Sequence, residues 1–241
     1  MVTFCLIGGK VNKEPMTNKI EAHLIKLSNK SMPKLLYIPF AMPNNEKSNK
    51  RFELITKGLN LDIHYMSYDE LDNFDSLLND TDILYIGGGI SDDLIDLFKN
   101  KNLDKILIKY LNTNKIYAGS SAGAMLYCKA CMGDKYMYTD NFHNYNYKMV
   151  EGLGLLNIGI CPHYQNEDLI IYNDEIKKYD YDSFGIEEDT ALIINDNYFY
   201  VIKEEPSVSL YYFSKDNYIM TDLKEGIKYE KASSFRTKGN I

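Results

Sequence analysis

The sequence has only two arginines and four histidines in 241 residues, and it has no tryptophan. Lysine and arginine together number 27 against 34 aspartates and glutamates, so the formal net charge is -7. Because a protein that follows a phosphate backbone normally carries a basic excess, this balance argues against a nucleic-acid partner. With only Arg51 and Arg236, any anion site is expected to depend on lysines or backbone amides.

Cysteine and long apolar segments are also scarce. Four cysteines in a chain of this length are too few for a disulfide framework. The opening segment, MVTFCLIGGK, lacks the basic region and the long apolar stretch of a signal peptide, and no apolar run approaches the roughly 18 residues that cross a bilayer. We therefore expect a cytoplasmic protein with no membrane partner.

What the sequence does contain is an alternation of short apolar runs with segments of helical spacing. Ile20, Leu24 and Leu27 recur at helical intervals between two such runs, as expected for βαβ units. The runs are continuously apolar, which is typical of parallel strands covered by helices on both faces. We predict an α/β fold with strands at 2–7, 34–40, 61–65, 83–86 and 115–118.

The pattern changes after Tyr164. A predicted helix at 166–178 is followed by closely spaced strands, and Asp196 and Asn197 form a tight turn between the first two. No linker or repeat interrupts the chain, so we predict one domain over residues 1–235 and a disordered tail at 236–241. The late strands are expected to finish the same sheet in antiparallel fashion, at 191–194, 198–202 and 209–213.

The sharpest local motif is GSSAG at residues 119–123, directly after a predicted strand and before an apolar stretch. It fits the G-x-S-x-G pattern of a nucleophile elbow with Ser121 in the middle. Small residues suit such a tight turn, and a helix beginning near Ala122 would direct free N–H groups at a developing oxyanion. A turn that only packs a helix against a sheet is the alternative.

A serine nucleophile needs a base, and the sequence offers four histidines. His163 follows an apolar strand and precedes a polar helix start, which is where α/β sheets carry catalytic groups. His143 lies in a polar, aromatic loop and is the weaker candidate. His23, beside an apolar helical stripe, and His64, on a strand, fit boundary or surface roles.

An acid that orients the imidazole is available in the run GIEEDT at residues 185–190. Glu187, Glu188 and Asp189 are all candidates, although a solvated acidic turn would have the same composition. The order serine, histidine, acid differs from the α/β-hydrolase order, in which the acid precedes the histidine. The sequence therefore favours a different hydrolase fold.

These residues resemble a known family, the serine peptidases of the aspartyl dipeptidase (peptidase E) and cyanophycinase type, built on the class I glutamine amidotransferase scaffold. The likeness rests on four blocks in family order: IGGG at 86–89, GSSAGA at 119–124, ICPHY at 160–164 and GIEEDTA at 185–191. It implies a flavodoxin-like three-layer sandwich, with a mostly parallel sheet, helices on both faces and an antiparallel C-terminal portion. The domain at 1–235 would then be a single hydrolase domain of the amidotransferase type.

The resemblance also implies a role for each motif residue. Ser121 would be the nucleophile, His163 the general base and Glu188 the acid that orients it. Gly88 and Ala122 would donate backbone N–H groups to the oxyanion.

Substrate recognition departs from the family pattern at two places. Ile90 stands where asparagine usually follows the glycine turn, and an arginine expected downstream of the elbow is absent. Gly89 and Ile90 would line the pocket, Lys129 or Lys135 would replace the arginine, and Asp140 is a secondary candidate for the site and for the acid. Because a lysine discriminates geometry less well than an arginine fork, we expect a loose preference for an N-terminal aspartate.

The resulting hypothesis is a serine exopeptidase for dipeptides or short peptides with N-terminal aspartate or a related residue, without metal or cofactor, as a monomer or homodimer. A cyanophycinase-like peptidase for β-aspartyl linkages and a catalytically silent small-molecule-binding module are the alternatives, whereas a glutamine amidotransferase would carry cysteine in place of Ser121. A zinc set of three cysteines and His163 is disfavoured, because Cys128 and Cys131 are predicted to pack on a helix. The tyrosine-rich segment 134–150 would form either a lid or a cover for the core.

Overall fold

The computed structural model describes residues 2–111, 113–133, 147–165, 171–231 and 235. None of the helices in these residues combines the length and the apolar character needed to cross a membrane. The strands are β1 (Thr3–Ile7), β2 (Lys34–Ile38), β3 (Asp62–Tyr65), β4 (Ile83–Ile86), β5 (Ile116–Ser120), β6 (Cys128–Gly133), β7 (Lys148–Val150), β8 (Leu156–Pro162), β9 (Ser183–Ile186), β10 (Thr190–Ile194), β11 (Tyr198–Lys203), β12 (Leu210–Phe213), β13 (Met220–Asp222) and β14 (Tyr229–Glu230). The helices are α1 (Lys19–Ser28), α2 (Asn45–Thr56), α3 (Phe74–Asn79), α4 (Ser91–Asn100), α5 (Leu103–Tyr110), α6 (Ala122–Tyr127) and α7 (Tyr172–Glu175), with 3-10 turns at Tyr68–Asn73 and Ile176–Lys178.

In the described part of the chain these strands form two sheets. The larger has eight strands in the order β14-β11-β10-β1-β5-β4-β2-β3. Strands β1, β5, β4, β2 and β3 run parallel, and β10, β11 and β14 extend the sheet in antiparallel fashion beyond β1. The predicted parallel sheet and its antiparallel continuation through 191–194 and 198–202 are therefore confirmed.

The larger sheet has helices on both faces, as the continuously apolar strands predict. Along β1, Phe4 and Leu6 point to one face, and Cys5 and Ile7 to the other, because side chains alternate along a strand. Helices α1 and α2 cover the Cys5 face, while α3, α4, α5 and α6 cover the Phe4 face. Their buried contacts include Ile20, Leu24 and Phe52 on the first side and Phe74, Phe98, Leu107 and Leu126 on the second.

The second sheet has six strands in the order β13-β12-β9-β8-β6-β7. Its presence corrects one prediction, because the strand expected at 209–213 does not finish the larger sheet. It forms β12, which pairs with β9 through Leu210 and Ile186 in the smaller sheet. Of the helix predicted at 166–178, residues 172–178 form α7 and a 3-10 turn, while residues 166–170 and the tail at 236–241 lie outside the described residues.

The segment after the elbow helix is also different from its prediction. Helix α6 ends at Tyr127, and Cys128 and Cys131 lie on strand β6 rather than on a continuing helix. Strand β6 pairs with β8, with a register shift between Cys128 and Ala130. Both thiols are buried, and Cys131 Sγ donates to the Met125 carbonyl over 3.1 Å. The two cysteines thus pack as core residues of a strand.

Candidate active site

Ser121 stands at the junction of β5 and α6 in a backbone conformation that few non-glycine residues adopt. Its φ is 51° and its ψ is -113°, a strained combination that commonly marks functional turns. Its N–H donates to the Ile7 carbonyl at the end of β1 over 2.9 Å. A Cβ on Gly119 would lie 2.3 Å from the carbonyl carbon of Gly123, so this turn requires glycine there. The geometry is that of a nucleophile elbow.

The end of β1 connects the separate parts of the site. The Gly8 carbonyl accepts the His163 N–H over 3.0 Å, and the Gly9 carbonyl accepts the Asp189 N–H over 2.9 Å. Gly9 also packs against the imidazole so closely that a Cβ would lie 2.5 Å from His163 Cε1. The sequence prediction gives this glycine pair no role, although two glycines directly after a buried strand indicate close backbone packing.

Ser121, His163 and Glu188 form one line of hydrogen bonds. His163 Nε2 lies 2.8 Å from Ser121 Oγ, and His163 Nδ1 lies 2.9 Å from Glu188 Oε1. Ser121 follows a strand of the larger sheet, whereas His163 follows β8 of the smaller one. The structure therefore brings together, from both sheets, the three residues that the sequence motifs single out.

The acidic run at 185–190 resolves into three carboxylates with three different partners. Glu188 faces His163, while Glu187 Oε2 accepts the Ser209 N–H over 2.7 Å. Asp189 is buried, and its Oδ1 accepts the Val11 N–H while its Oδ2 pairs with Lys13 Nζ at 3.1 Å. Glu188 is thus the carboxylate of the run that contacts the imidazole.

The pKa of the Glu188 carboxyl is lowered below its usual value. The hydrogen bond from His163 is the main cause and outweighs the burial of Glu188, which acts to raise the pKa. Electrostatic interactions with His163 and with Arg51 lower it further. Glu188 is therefore ionised near neutral pH, which is the state that can hold an imidazole by its Nδ1–H.

The backbones of Gly88 and Ala122 lie close to Ser121. A Cβ on Gly88 would lie 3.1 Å from the Ser121 Cβ, which places the Gly88 backbone next to the Ser121 side chain. Ala122 is the first residue of α6, so its N–H has no acceptor within the helix. Among the described residues no hydrogen-bond acceptor is found for the Gly88 N–H either. Both amides are available to a substrate oxygen.

A cavity of about 440 Å³ opens beside Ser121 and His163. Gly89 lines it, whereas Ile90 lines a neighbouring cleft. Lys129 is not among the lining residues; it is exposed on β6, with Nζ 6.0 Å from the ring centroid of Tyr181. The other predicted substrate residues, Lys135 and Asp140, lie outside the described residues, as do His143 and most of the segment 134–150.

Three cations that the sequence prediction omits line this cavity: Lys10, Lys47 and Arg51. Lys10 follows β1, whereas Lys47 and Arg51 lie on α2. All three are far in sequence from the hydrogen-bonded Ser121, His163 and Glu188. Arg51 is one of only two arginines in the chain, and this rarity was the available sequence signal.

The two remaining described histidines are engaged elsewhere. His23 Nε2 lies 2.8 Å from the Tyr200 hydroxyl, and His64 Nε2 lies 2.9 Å from Glu70 Oε1. Neither lines the cavity. Their positions agree with the boundary and surface roles predicted for them.

Comparison with known proteins identifies the family. A model of peptidase family S51 matches residues 4–202. The chain belongs to peptidase family S51. This S51 protein is therefore a peptidase, and its predicted membership of a peptidase E-type family is confirmed. It is 23% identical over 228 residues to the uncharacterized peptidase YgaJ of Bacillus subtilis (strain 168), covering 92% of this chain and 96% of YgaJ.

Solved structures share the fold of this S51 peptidase. A peptidase from an acI-B1 Actinobacterium superposes with a TM-score of 0.70 at 19% identity, covering 96% of this chain and 97% of that one. A putative peptidase E protein from Listeria monocytogenes EGD-e superposes with a TM-score of 0.58 at 18% identity, covering 84% of this chain and 98% of that one. These similarities confirm the predicted α/β sandwich.

Proposed function

We propose that this S51 peptidase is a serine exopeptidase that hydrolyses dipeptides or short peptides with an N-terminal aspartate or a related residue. The observation that carries the proposal is the line of hydrogen bonds from Ser121 Oγ through His163 to Glu188. A serine hydroxyl is a weak nucleophile until a base within hydrogen-bonding distance can take its proton. The strained turn at Ser121 and the lowered pKa of Glu188 are further support.

The first half of the reaction transfers the acyl group to the enzyme. His163 Nε2 takes the proton of Ser121 Oγ as that oxygen attacks the scissile carbonyl carbon. The carbonyl oxygen becomes an oxyanion, which the N–H groups of Gly88 and Ala122 stabilise. His163 then gives its proton to the departing amine, the carbon–nitrogen bond breaks, and an ester on Ser121 remains.

The second half releases the enzyme. A water molecule gives a proton to His163 Nε2 and attacks the ester carbonyl, forming a second oxyanion in the same place. When this intermediate collapses, Ser121 Oγ leaves and takes the proton back from His163. In both halves Glu188 stabilises the transient imidazolium through His163 Nδ1–H.

The cavity supports a small substrate. A volume of about 440 Å³ lies at the lower end of the range typical of small-molecule sites. Its walls come from the turn after β4, the loop after β1 and helix α2, so the substrate would lie next to the ends of the central strands. Such a site suits a dipeptide or a short peptide better than a folded protein.

A fluorophosphonate probe and a dipeptide panel test this proposal. We expect the wild-type enzyme to be labelled and to hydrolyse members of the panel. Ser121→Ala should lose both properties, with kcat reduced by about a millionfold and thermal stability unchanged. Labelling of Ser121→Ala at the wild-type rate would remove Ser121 from the mechanism.

The same panel separates the alternative activities. Including β-aspartyl-arginine tests the cyanophycinase-like hypothesis. If the enzyme cleaves that compound and none of the α-linked dipeptides, the substrate class is β-aspartyl peptides. A wild-type protein that neither labels nor hydrolyses any member would instead be a binding module.

A further inference from the structure

The side chains that line the active-site cavity include more cations than carboxylates. Lys10, Lys47 and Arg51 line it, and Glu188 is the only carboxylate among the described lining residues. Lys10 is already engaged in buried ion pairs with two glutamates. Lys47 and Arg51 form no ion pair with a carboxylate of the described residues. Outside the Lys10 ion pairs, the lining therefore carries two cations against the single carboxylate of Glu188.

Arg51 is the better placed of these two cations. Its Nη2 donates to the Lys10 carbonyl over 2.6 Å, which fixes the guanidinium against the loop after β1. That loop also contains Gly9, which packs against His163. The charge of Arg51 reaches the triad, because it helps to lower the pKa of Glu188. Arg51 is thus held near the proposed reacting groups, and none of the described carboxylates pairs with it.

A guanidinium in this situation is suited to one kind of ligand. Arginine presents five N–H donors in a planar fork that matches the two oxygens of a carboxylate. Among the described residues only the Lys10 carbonyl takes a hydrogen bond from Arg51, so the other donors are free to bind substrate. A fork that is already anchored loses less conformational entropy when it binds.

We propose that Arg51 binds a carboxylate of the peptide substrate and thereby determines which peptides the site accepts. The proposal rests on the proposed function and assigns its specificity to α2 rather than to Lys129 or Lys135. Two carboxylates of a dipeptide have the required chemistry: the side chain of an acidic N-terminal residue and the main-chain carboxylate of the second residue. The sequence predicts a loose preference for an N-terminal aspartate because it assigns a lysine to the site. With an arginine fork in that place, we expect a strong preference for peptides that carry the recognised carboxylate.

Matched substrates identify the carboxylate. Values of kcat/KM are measured for Asp-Leu, Asn-Leu and Ala-Leu and for the three corresponding C-terminal amides. Arg51→Met removes the fork, Arg51→Lys retains the charge alone, and Lys50→Met on the exposed side of the same helix is the control. We expect Arg51→Met to lower kcat/KM by about 10- to 100-fold for peptides with the recognised carboxylate, mainly through KM.

The pattern of losses gives the answer. A loss for Asp-Leu and its amide, with Asn-Leu and Ala-Leu unchanged, assigns Arg51 to the side chain. A loss for all three free peptides but none of the amides assigns it to the main-chain carboxylate. Arg51→Lys should recover only part of the loss, and Lys50→Met should match the wild type. Equal losses for all six peptides, or no loss for any, would overturn the proposal.

A binding measurement separates this inference from the catalytic mechanism. Affinities for the same six peptides are measured by calorimetry with Ser121→Ala, alone and combined with Arg51→Met. A carboxylate-dependent affinity that Arg51→Met weakens about 10-fold or more supports the site even if Ser121 proves not to be the nucleophile. Affinities that do not depend on Arg51 reject it, whatever the fluorophosphonate result.

Discussion

Two groups of charged side chains meet at the loop after β1, and they differ in exposure. In the triad, the His163 side chain is 44% exposed and Glu188 is 30% exposed. In the second group, which we term the Lys10 cluster (Lys10, Glu21, Glu204 and Tyr85), Lys10 is 2% exposed and each glutamate 1%. The side chains of the first group are partly exposed to water, whereas those of the second are almost fully buried.

The difference in exposure matches the different tasks that we propose for the two groups. A group that gives and takes protons needs access to substrate and water, whereas buried charges are kept only when they are paired. Lys10 Nζ binds Glu21 at 2.9 Å and also binds Glu204, and the Tyr85 hydroxyl donates to Glu21 at 3.2 Å. The Lys10 cluster thereby ties the loop after β1 to α1, β4 and the end of β11. It fixes the backbone against which His163 packs.

The first way to test this difference between the two groups is to neutralise Glu188, the acid of the proposed triad. Glu188→Gln should lower kcat by about 10³- to 10⁴-fold, with little change in KM, because the carboxylate acts mainly as the imidazolium forms. Glu187→Gln is the matched control, since Glu187 accepts the Ser209 N–H instead. Both are measured by steady-state kinetics. Severe loss in Glu187→Gln with normal activity in Glu188→Gln would reverse the assignment.

The second way is to remove the central charge of the Lys10 cluster. Lys10→Met leaves Glu21 and Glu204 buried without their cation, so we expect a loss of about 3–5 kcal/mol in the free energy of unfolding. Lys34→Met breaks the exposed pair with Asp80 and should cost about 1 kcal/mol or less. Urea denaturation of both variants makes the comparison, and similar losses would mean that burial of the Lys10 cluster has no special role.

The contact between the two groups can be altered at Gly9. A methyl group there would meet His163 Cε1 at 2.5 Å, and the φ of +138° disfavours any side chain. Gly9→Ala should displace the imidazole and reduce kcat/KM by about 100-fold. Gly58→Ala provides the control, because Gly58 has a φ of +81° but nothing within 4 Å of the added methyl. Gly58→Ala should lose stability only, and equal activity in the two variants would contradict the proposed contact.

The central fold could be predicted from sequence because its strands are continuously apolar. Strand β4 (Ile83–Ile86) coincides with its prediction, and β1, β2, β3 and β5 differ from theirs by only a few terminal residues. The smaller sheet could not be predicted from the sequence, for two reasons. Strand β6 is a short apolar run after a helix, where periodicity does not distinguish helix from strand. Strand β12 has the pattern of any half-buried strand, and nothing in that pattern specifies its partner.

The triad residues could be selected because each lies at the end of a strand and carries a type of side chain with known chemistry. Only the family resemblance favoured Glu188 over Glu187, since neighbouring residues differ in the direction that the folded backbone gives them and composition does not reveal that direction. The position of Arg51 at the cavity could not be predicted for a related reason. It lies on a polar helix, 70 positions before Ser121, and only the packing of α2 beside the ends of β2 and β4 brings it to the cavity.

The smallest expected effect concerns stability at acid pH. Because the folded-state pKa of Glu188 is lowered, its ionised form stabilises the fold above the unfolded-state value of about 4.3, and this contribution is lost as the pH falls through the lowered pKa. The wild type should therefore exceed Glu188→Gln in Tm at pH 6 and lose that advantage progressively as the pH falls below the unfolded-state pKa and through the lowered one. Solvent screens this partly exposed carboxylate, so the difference should be about 1 kcal/mol or less.

Glu204 also has a lowered pKa, since Lys10 and the backbone N–H groups of Lys19 and Ile20 outweigh its burial, but Glu204 is present in both proteins, so its contribution to the difference in Tm cancels. Thermal unfolding at a series of pH values measures the difference, and an advantage that grows on acidification would show that Glu188 does not stabilise the fold as an anion.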